Sequence, residues 1–452
     1  MGRITLEQAA AWCGGTVNPK YKDVAFLGAN NDTRKLTPGQ LFVALQGARD
    51  GHDFIPAALE KGAAAVLCTH CNGDYPAIVV DDTRIALGDI ARGERQRLGC
   101  KVVGITGSVG KSTTKEMVAT VLADTYRVSK TPANHNNDIG MPMAILAMPE
   151  DTEIAVLEMG MNHFGEISYL TGIAKPDVAV IVNIGTMHIE HLGSMEGILQ
   201  AKLEILEGLD ENGHIVLNGD DPLLWNLHKT LPRAIYFGSS NTQSAVLAAD
   251  IAENDGILSF DVRMLQHSAT VKLPLEGQHY VADALAAIAV GLCFEVPWEA
   301  MTNRLAKFRN MEGRQEIFQV GEYTIIQDCY NAGPESMAAA LAVLGNKAGR
   351  KIAVLGDMLE LGDNAPAEHY RLGRIVAEKA DMLFAYGPNS GRVLSGAITG
   401  GMSDVYARAF DDRDRLVDAL KLQVKPGDVL LFKGSHGMKM DLALQKFLHE
   451  EK

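Results

Sequence analysis

A glycine-rich segment between an apolar strand and a helix limits what this chain can fold into more than any other feature. Residues 101–105 form an apolar, β-branched run, and residues 111–123 have helical periodicity. A strand, a loop and a helix in this order are the context that a phosphate-binding loop requires, because inward-turned backbone N–H groups and the helix N-terminus both attract anions. The segment reads Thr106, Gly107, Ser108, Val109, Gly110, Lys111, Ser112, Thr113 and Thr114.

The charged and hydroxyl residues of this loop predict that it binds ATP. Lys111 supplies a full positive charge for the β- and γ-phosphates, and Ser112 can ligate Mg²⁺. The strict pattern of a phosphate-binding loop begins with a glycine where this chain has Ile105, so the loop is a variant. The loop residues predicted to contact ATP are Thr106, Gly107, Ser108, Val109, Gly110, Lys111, Ser112 and Thr113.

Alternating strands and helices around the loop predict an α/β fold. The runs 154–157 and 178–182 are continuously apolar, as expected of parallel strands covered on both faces, and a helical stretch at 194–207 precedes a strand at 215–217. The same rhythm restarts near Gly313, and a length of 452 residues suits about three domains. We predict a small α/β domain over 1–83, a central, mostly parallel α/β sheet over 84–311 and a C-terminal Rossmann-like α/β domain over 312–452.

The composition disfavours several classes of protein. The formal net charge of −14 opposes binding to a nucleic-acid backbone. The N-terminus lacks a basic segment followed by an apolar run, and no apolar run reaches the length of a membrane span. Six scattered cysteines, Cys68 and Cys71 among them, are typical of reduced thiols rather than of disulfides or a zinc site. We expect a monomeric, cytoplasmic protein that binds no nucleic acid and inserts into no membrane.

Two polar residues that follow apolar strands are candidate metal ligands. Glu158 ends the run 154–157 and is placed to hold Mg²⁺ beside the phosphate loop, whereas a solvated acid is the alternative. His188 follows the run 178–182, where a structural histidine is the alternative. Lys202 lies in the predicted helix 194–207, and the residues alone do not distinguish it from a surface lysine.

Over its whole length the chain resembles the Mur ligases, which form amide bonds in peptidoglycan precursors in the cytoplasm. The resemblance rests on the phosphate loop and on the segments LEMG at 157–160, NIGTMHIEHLGS at 183–194 and AKLEI at 201–205. Within the family the chain is most similar to the branch that adds D-alanyl-D-alanine to UDP-N-acetylmuramoyl-tripeptide. That similarity is carried by NHNNDIG at 134–140, YNAGP at 330–334, GDMLELG at 356–362, KGSHGMKM at 433–440 and the N-terminal Asp32-Thr33-Arg34.

The resemblance implies roles that the residues alone leave open. Ser112 and Glu158 would hold one Mg²⁺, and His188 would hold a second together with a carbamylated Lys202. Lys111, Lys202 and His188 would be the catalytic residues. Further contacts to ATP would come from Asn134, Asn137, Arg314, Asp328 and Asn331. The UDP-sugar would contact Thr33, Arg34, Gly47 and His52, and the incoming dipeptide would lie near Asp357, Lys433, Gly434, Ser435 and His436.

The chain departs from the family pattern at three places. Tyr280 and Asp283 stand where the family often has asparagines that contact adenine. Gly333 replaces the second asparagine of an Asn-Ala-Asn-Pro segment, and His436 stands where arginine is common.

The resemblance implies a two-step ligation. Transfer of the γ-phosphoryl group to the tripeptide carboxylate would give an acyl phosphate, and the amine of D-Ala-D-Ala would then displace phosphate. This is the last cytoplasmic step in making the pentapeptide precursor, and the C-terminal domain would close over ATP during it. The alternatives are a Mur ligase that adds diaminopimelate or lysine, folylpolyglutamate synthase, a P-loop kinase and a non-enzymatic protein switched by ATP.

Overall fold

The computed structural model describes residues 3–264 and 267–449. The chain forms two compact units, and several stretches of sequence contribute to each of them. The first unit comprises Met1–Val182, Leu199–Leu247 and Ala284–Arg304. The second unit comprises Asn183–Ile198, Ala248–Asp283 and Leu305–Lys452.

The N-terminal part of the first unit is a small α/β layer. A five-stranded sheet has the order β2-β7-β6-β5-β4, with β2 antiparallel to β7 and the other neighbours parallel. Helix α1 begins at a capping box between Thr5 and Gln8, and α3 begins where the Asp82 side chain accepts from the N–H groups of Arg84 and Ile85. The elements are Ile4–Thr5 (β1), Leu6–Cys13 (α1), Thr16–Val17 (β2), Ala25–Phe26 (β3), Ala29–Asn30 (β4), Leu41–Val43 (β5), Ile55–Glu60 (α2), Ala65–Cys68 (β6), Ala77–Val79 (β7) and Thr83–Leu98 (α3).

The first unit also contains a larger parallel sheet. Its strands have the order β14-β13-β12-β11-β8-β10-β9, and every neighbouring pair is parallel. Strands β10 and β11 are buried at every residue, which explains their continuously apolar sequences. The strands are Lys101–Thr106 (β8), Val128–Lys130 (β9), Ile154–Glu158 (β10), Val178–Ile181 (β11), His214–Asn218 (β12), Ile235–Gly238 (β13) and Val246–Asn254 (β14), of which Val246 and Leu247 belong to the first unit and the remaining residues to the second.

Helices connect most of these parallel strands, although β13 and β14 are joined by the segment 239–245 without one. Helix α8 continues into a 3₁₀ turn at Glu204–Gly208, so the helical stretch predicted at 194–207 is one α-helix and one tighter turn. The helices between residues 111 and 305 are Lys111–Leu122 (α4), Gly140–Leu146 (α5), Glu166–Ala174 (α6), Ile189–Leu192 (α7), Met195–Leu203 (α8), Pro222–Trp225 (α9), His279–Cys293 (α10) and Trp298–Leu305 (α11).

The second unit contains an antiparallel pair and a six-stranded sheet. Ile257–Met264 (β15) pairs antiparallel with His267–Leu273 (β16). The sheet has the order β17-β18-β22-β19-β20-β21 and is parallel apart from β17. Its elements are Glu316–Val320 (β17), Tyr323–Asp328 (β18), Pro334–Gly345 (α12), Lys351–Gly356 (β19), Ala365–Lys379 (α13), Met382–Tyr386 (β20), Ser390–Thr399 (α14), Ala407–Phe410 (β21), Arg413–Lys421 (α15), Val429–Lys433 (β22) and Met440–His449 (α16).

Helices cover both faces of this sheet. On one face Ala353 and Leu355 of β19 pack in a core with residues of α12, α13 and α14. On the other face Ile352 and Val354 pack with residues of α15 and α16. Neighbouring residues of one strand therefore serve opposite cores, and the predicted Rossmann-like α/β character of this region is confirmed.

The predicted α/β fold class is confirmed, although some strands were missed. Strands β9, β17 and β21 lie at sheet edges, and these three strands and the short strand β13 did not stand out from the sequence. No helix within the described residues is both long and apolar enough to cross a membrane.

Candidate active site

The phosphate-binding loop joins β8 to α4 as the sequence predicts. Gly110 has φ +87° at the N-cap of α4, a left-handed conformation that favours glycine, and Lys111 is the first helical residue. The Lys111 ammonium donates to the carbonyl oxygens of Gly107 at 2.6 Å and Ser108 at 3.2 Å. The lysine side chain thus folds back over its own loop, where the phosphates of a nucleotide would lie.

Glu158 lies at the C-terminal end of β10, directly beside the start of this loop. Glu158 pairs in register with Ile105 of β8, and the residue is 2% exposed. Oε1 accepts a hydrogen bond of 2.9 Å from Asn136 Nδ2, whereas Oε2 has no hydrogen-bond partner within the described chain. The Lys115 ammonium lies 3.6 Å from Oε2. One carboxylate oxygen is therefore fixed and the other is available to a cation.

Residues 131–137 form the loop that carries Asn136. Asn136 O accepts from Gly160 N at 2.8 Å, and a side chain at Gly160 would collide with Asn136. The Asn137 side-chain oxygen accepts from Gly140 N at 2.8 Å and caps the start of α5. Asn134 is exposed. Of the two asparagines predicted to contact ATP, Asn137 has its oxygen engaged in the fold, and Asn134 faces solvent.

Lys202 differs from the surface lysine that its helix suggested. It is 1% exposed, and burial lowers the pKa of its side chain well below the ordinary value of 10.5, with the charge of Lys111 adding to the effect. A lysine in such surroundings favours the neutral amine. This burial was not predictable from the residues, because hydropathy cannot show which lysine of an amphipathic helix faces inward.

The oxygen atoms at the loop suit a Mg²⁺ ion. Thr106 Oγ1 and Glu158 Oε2 are both buried and lack a hydrogen-bond partner within the described chain. Ser112, in the same loop as Thr106, is also buried, at 4% exposure. Hydroxyl and carboxylate oxygens are the hard ligands that Mg²⁺ prefers. No three His, Cys, Asp or Glu side chains of the described residues cluster as a protein-only metal site. Phosphate oxygens and waters would therefore have to complete the coordination.

In the second unit, His188 lies in the segment 183–198 and contacts a residue from the region after β19. His188 has φ +66°, and its Nδ1 lies 2.8 Å from Glu360 Oε2. The hydrogen bond with His188 lowers the pKa of Glu360 below its ordinary value. Glu335 holds the same segment, because one of its oxygens accepts from Thr186 N at 3.0 Å and Thr186 Oγ1 at 3.1 Å. The sequence analysis assigned no role to Glu335 or Glu360.

Arg314, Asp328 and Lys433 also come together in the second unit. Lys433 is 2% exposed and donates to Asp328 Oδ2 at 2.5 Å and to Asn331 O at 3.0 Å. The Arg314 guanidinium lies 3.9 Å from the ring centroid of Tyr330, a cation–π contact. Tyr330 lies in the segment 330–334 that carries part of the family resemblance, but it was not predicted as a site residue.

Like Lys433, the residues Asp357 and Ser435, which were also predicted to lie near the dipeptide, have internal structural partners. Asp357 is 2% exposed, and its Oδ2 accepts from Asn389 N at 2.9 Å. Ser435 Oγ donates to Ala332 O at 3.1 Å and accepts from Leu359 N at 2.9 Å. Gly434 packs against Met440 and the backbone of Gly356, whereas His436 is exposed.

The predicted UDP-sugar residues lie in the N-terminal part of the first unit. Arg34 makes a two-pronged pair with Asp32 and lowers the pKa of that carboxyl to about 2. Lys61 donates to Thr33 O at 2.8 Å, and Gly47 lies between the bridged residues Gln46 and Asp50.

His52 is held from both sides of its ring. Nδ1 lies 2.6 Å from Asp50 Oδ1, and Nε2 accepts from Thr69 N at 3.0 Å. Both ring nitrogens are therefore used within the fold. Cys68, the residue before Thr69, is buried, and burial raises the pKa of its thiol to about 11.

The residues at the family's adenine position serve packing in this chain. Tyr280 is 3% exposed and its hydroxyl accepts from Asn310 Nδ2 at 2.6 Å, and Asp283 is 4% exposed. His279, beside them, is exposed.

Comparisons with known proteins agree with this arrangement. The Mur ligase family catalytic domain matches residues 25–95, the Mur ligase middle domain 105–291 and the Mur ligase glutamate ligase domain 313–436. The chain is 41% identical over 451 residues to the UDP-N-acetylmuramoyl-tripeptide–D-alanyl-D-alanine ligase of Bacillus subtilis, covering 98% of this chain and 97% of the relative. The chain therefore belongs to the Mur ligase family.

Solved structures share the complete fold. A crystal structure of MurF from Acinetobacter baumannii superposes with a TM-score of 0.91 at 31% identity, covering 99% of both chains. The MurF ligase of Thermotoga maritima in complex with ADP superposes with a TM-score of 0.82 at 31% identity, covering 94% of this chain and 97% of that one. These neighbours have the three-domain Mur ligase architecture that the sequence predicts.

Proposed function

We propose that this protein is an ATP-dependent ligase that adds D-alanyl-D-alanine to UDP-N-acetylmuramoyl-tripeptide and releases ADP and phosphate. The observation that carries the proposal is the 41% identity to a curated ligase of that name over 98% of the chain. The phosphate loop beside the buried Glu158 provides the ATP half of the reaction. The product would be the pentapeptide precursor of peptidoglycan, made in the cytoplasm.

The first step activates the tripeptide carboxylate, which is a poor electrophile toward an amine. One carboxylate oxygen bonds to the γ-phosphorus while the bond from that phosphorus to the β–γ bridging oxygen breaks, so ADP leaves. Lys111 would exchange the carbonyls of Gly107 and Ser108 for phosphate oxygens and neutralise charge on the transferring group. Loop N–H groups and the N-terminus of α4 would hold the other phosphate oxygens.

In the second step the amine nitrogen of D-Ala-D-Ala bonds to the acyl carbon. A tetrahedral intermediate forms, the amine loses a proton, and the carbon–oxygen bond to phosphate breaks, so phosphate leaves with the bonding electrons. Water would hydrolyse the acyl phosphate, so a closed arrangement of domains is needed while it exists. We expect compaction on addition of ATP and acceptor in small-angle scattering, and an unchanged radius of gyration would contradict closure.

Ser112 and Glu158 would hold one Mg²⁺, and His188 with Lys202 would hold a second. Bound Mg²⁺ neutralises charge on the transferring phosphoryl group. Glu158 suits this role because Asn136 fixes one of its oxygens and leaves the other available. His188 would have to exchange Glu360 for the ion.

Lys202 would act as a carbamate. Its burial favours the neutral amine, whose lone pair bonds to the carbon of CO₂ while the nitrogen loses a proton. The product is an anionic carboxylate-like group, which removes the cost of an unpaired buried ammonium and supplies oxygen ligands.

The three domains would divide the substrates among them. Residues 1–83 would bind the UDP-sugar through Thr33, Arg34 and Gly47, and His52 would support them from within the fold, since Asp50 and Thr69 already engage both its ring nitrogens. Residues 84–311 would bind ATP, with Asn134 and Asn137 near the nucleotide. Residues 312–452 would bind the dipeptide near the exposed His436 and bring Arg314, Asp328 and Asn331 to ATP, with Asp357, Lys433, Gly434 and Ser435 shaping the pocket. The protein would work as a monomer.

The decisive experiment measures ADP release with UDP-N-acetylmuramoyl-tripeptide and a panel of D-Ala-D-Ala, single amino acids and no amine. Release that depends on both acceptor and D-Ala-D-Ala, with formation of the pentapeptide product, is expected. Turnover with lysine or diaminopimelate on the shorter precursor would assign another Mur ligase activity. Phosphate transfer to acceptor that is stable and independent of any amine would favour a kinase.

A further inference from the structure

Lys115 is a buried cation for which the proposed reaction has no use. It lies one turn after Lys111 in α4 and is fully buried. Its ammonium donates to Thr131 O at 2.8 Å and Ala133 O at 3.1 Å. A lysine is almost never fully buried without partners, and an apolar side chain would fill the same space at lower cost. The charge at this position therefore has a task beyond packing.

One task is to hold the loop 131–137. Ala133 has φ +43°, a left-handed conformation that is unfavourable for alanine and persists only where neighbouring groups enforce it. The carbonyl of this same residue accepts from Lys115. The loop then carries Asn136 to Glu158, where the amide donates at 2.9 Å. Lys115 thus stabilises the loop that orients the candidate metal ligand.

Lys115 also lies close to Glu158 itself. The ammonium is 3.6 Å from Oε2, the carboxylate oxygen that has no hydrogen-bond partner in the described residues. Thr131, whose carbonyl accepts from Lys115, uses its hydroxyl oxygen to accept from Glu158 N at 3.1 Å. The Lys115 ammonium is therefore linked to the backbone of Glu158 through Thr131 and to Oε1 through the loop that carries Asn136. It also lies directly beside Oε2. The second acid near Lys115 is Glu116, with Oε1 at 3.7 Å.

We propose that Lys115 is a positioning residue that acts through Glu158, holding this carboxylate and the loop 131–137 in the geometry that receives the magnesium ion of the bound nucleotide. The proposal rests on the proposed function, since it assumes that Glu158 serves a nucleotide-bound metal. Lys115 itself contacts neither nucleotide nor metal. Removing the charge of Lys115 should therefore reduce how much Mg²⁺ tightens nucleotide binding. It should leave nucleotide binding without the metal unchanged.

The test is isothermal titration calorimetry of ADP with the full-length protein, once with excess Mg²⁺ and once with EDTA. The ratio of the two dissociation constants measures how much the metal tightens binding. In Lys115→Met, which keeps the volume and removes the charge, we expect this ratio to fall by about tenfold, equivalent to about 1.4 kcal/mol. ADP affinity in EDTA should stay within about twofold, because the loop and Lys111 are intact.

A matched control is Lys130→Met. Lys130 pairs with Glu116, as Lys115 does at a longer distance, and among the described residues no hydrogen bond or ion pair joins its ammonium to Glu158 or to the carbonyls of Thr131 and Ala133. Its ratio should equal that of the wild type. In the background of Glu158→Gln, adding Lys115→Met should cost nothing further, because residues that act through one another are not additive.

Several results would overturn the proposal. An unchanged ratio in Lys115→Met is one, and an increased ratio, which would make Lys115 a competitor of the metal, is another. Additive losses in the double variant, or no tightening of ADP binding by Mg²⁺ in the wild type, would also overturn it. If Lys115→Met does not fold by circular dichroism, Thr131→Val removes the hydroxyl that Glu158 N uses while Lys115 remains. A wild-type ratio in that variant would reduce Lys115 to a structural role. Calorimetry does not require ligation, so these outcomes are independent of whether the ligase assay succeeds.

Discussion

Two substitutions of Lys202 separate its chemistry from its packing. Lys202→Met fills nearly the same space without the nitrogen, and Lys202→Ala leaves the space empty. Both remove the amine that would become a carbamate. Only the alanine variant leaves room for a small carboxylate to enter from solution.

The two variants should differ in stability because Lys202 is 1% exposed. Replacing a buried charge by an apolar residue of similar volume is neutral or stabilising by about 1–4 kcal/mol. Truncating a buried side chain of this length to alanine costs about 2–5 kcal/mol. With roughly 2–4 °C per kcal/mol for a domain of moderate size, Lys202→Met should melt at least about 4 °C above Lys202→Ala.

Ligase activity should fall by about 10²–10³ in both variants, the usual cost of losing one group that stabilises charge in the transition state. Formate or acetate should restore activity at least about tenfold in Lys202→Ala, where the empty space admits the anion, and should have no effect in Lys202→Met. In the wild type, ¹³C-bicarbonate should give a carbamate resonance in NMR spectra that is absent from both variants.

The reasoning fails if Lys202→Ala keeps activity within about tenfold of the wild type. It also fails if the carboxylates rescue both variants equally, since rescue would then have nothing to do with the vacated space. Lys202→Met less stable than the wild type would show that the buried amine is satisfied in the fold rather than desolvated.

Three further predictions concern Lys111, Glu360 and Asp428. Lys111→Met should lower kcat by about 10²–10³ with an unchanged melting temperature, and near wild-type turnover would refute its role on the phosphates. The hydrogen bond with His188 lowers the pKa of Glu360, so the pair stabilises the fold above the ordinary pKa of 4.5 and progressively less as the pH falls below it. Glu360→Gln should therefore be less stable than the wild type only above that pH, by less than about 1 kcal/mol because the Glu360 side chain is half-exposed, and a difference that does not change with pH would contradict this. Asp428→Asn should destabilise the fold by about 2–3 kcal/mol in denaturant titration, because its 2% exposed carboxylate holds Arg350 Nε at 2.9 Å, and a loss under about 0.5 kcal/mol would refute it.

The sequence predicted the parts of this fold that have strong periodicity. Strand β11 is apolar throughout, and β8 and β10 are apolar except at the terminal residues Lys101, Thr106 and Glu158, so their positions and their parallel arrangement followed directly. Strands β9 and β21 are short, lie at sheet edges and contain half-buried or exposed residues, so they lack that pattern.

Whether a site residue could be predicted from the sequence depended on a different property. The phosphate loop was predictable because its chemistry is contained in one continuous segment. Lys115 and Glu360 were not, and Lys202 was singled out only by the family resemblance, because what distinguishes each of them is burial or a partner far away in sequence. Asp357 and Ser435 lay in recognisable segments, but only the structure shows that they hold neighbouring loops.

The missing first glycine of the phosphate loop has a structural reason. Ile105 is a residue of β8, fully buried, and pairs in register with Glu158 of β10 and Val180 of β11. A residue in this position has extended backbone, for which glycine gives no advantage and a β-branched side chain packs well. The carbonyl of Ile105 also accepts from Met159 N at 2.8 Å, which ties the start of the loop to the residue after Glu158. The turn that needs glycine comes later, at Gly110, so extending the strand by one residue fixes the carboxylate of Glu158 beside the loop without loss of its anion-binding geometry.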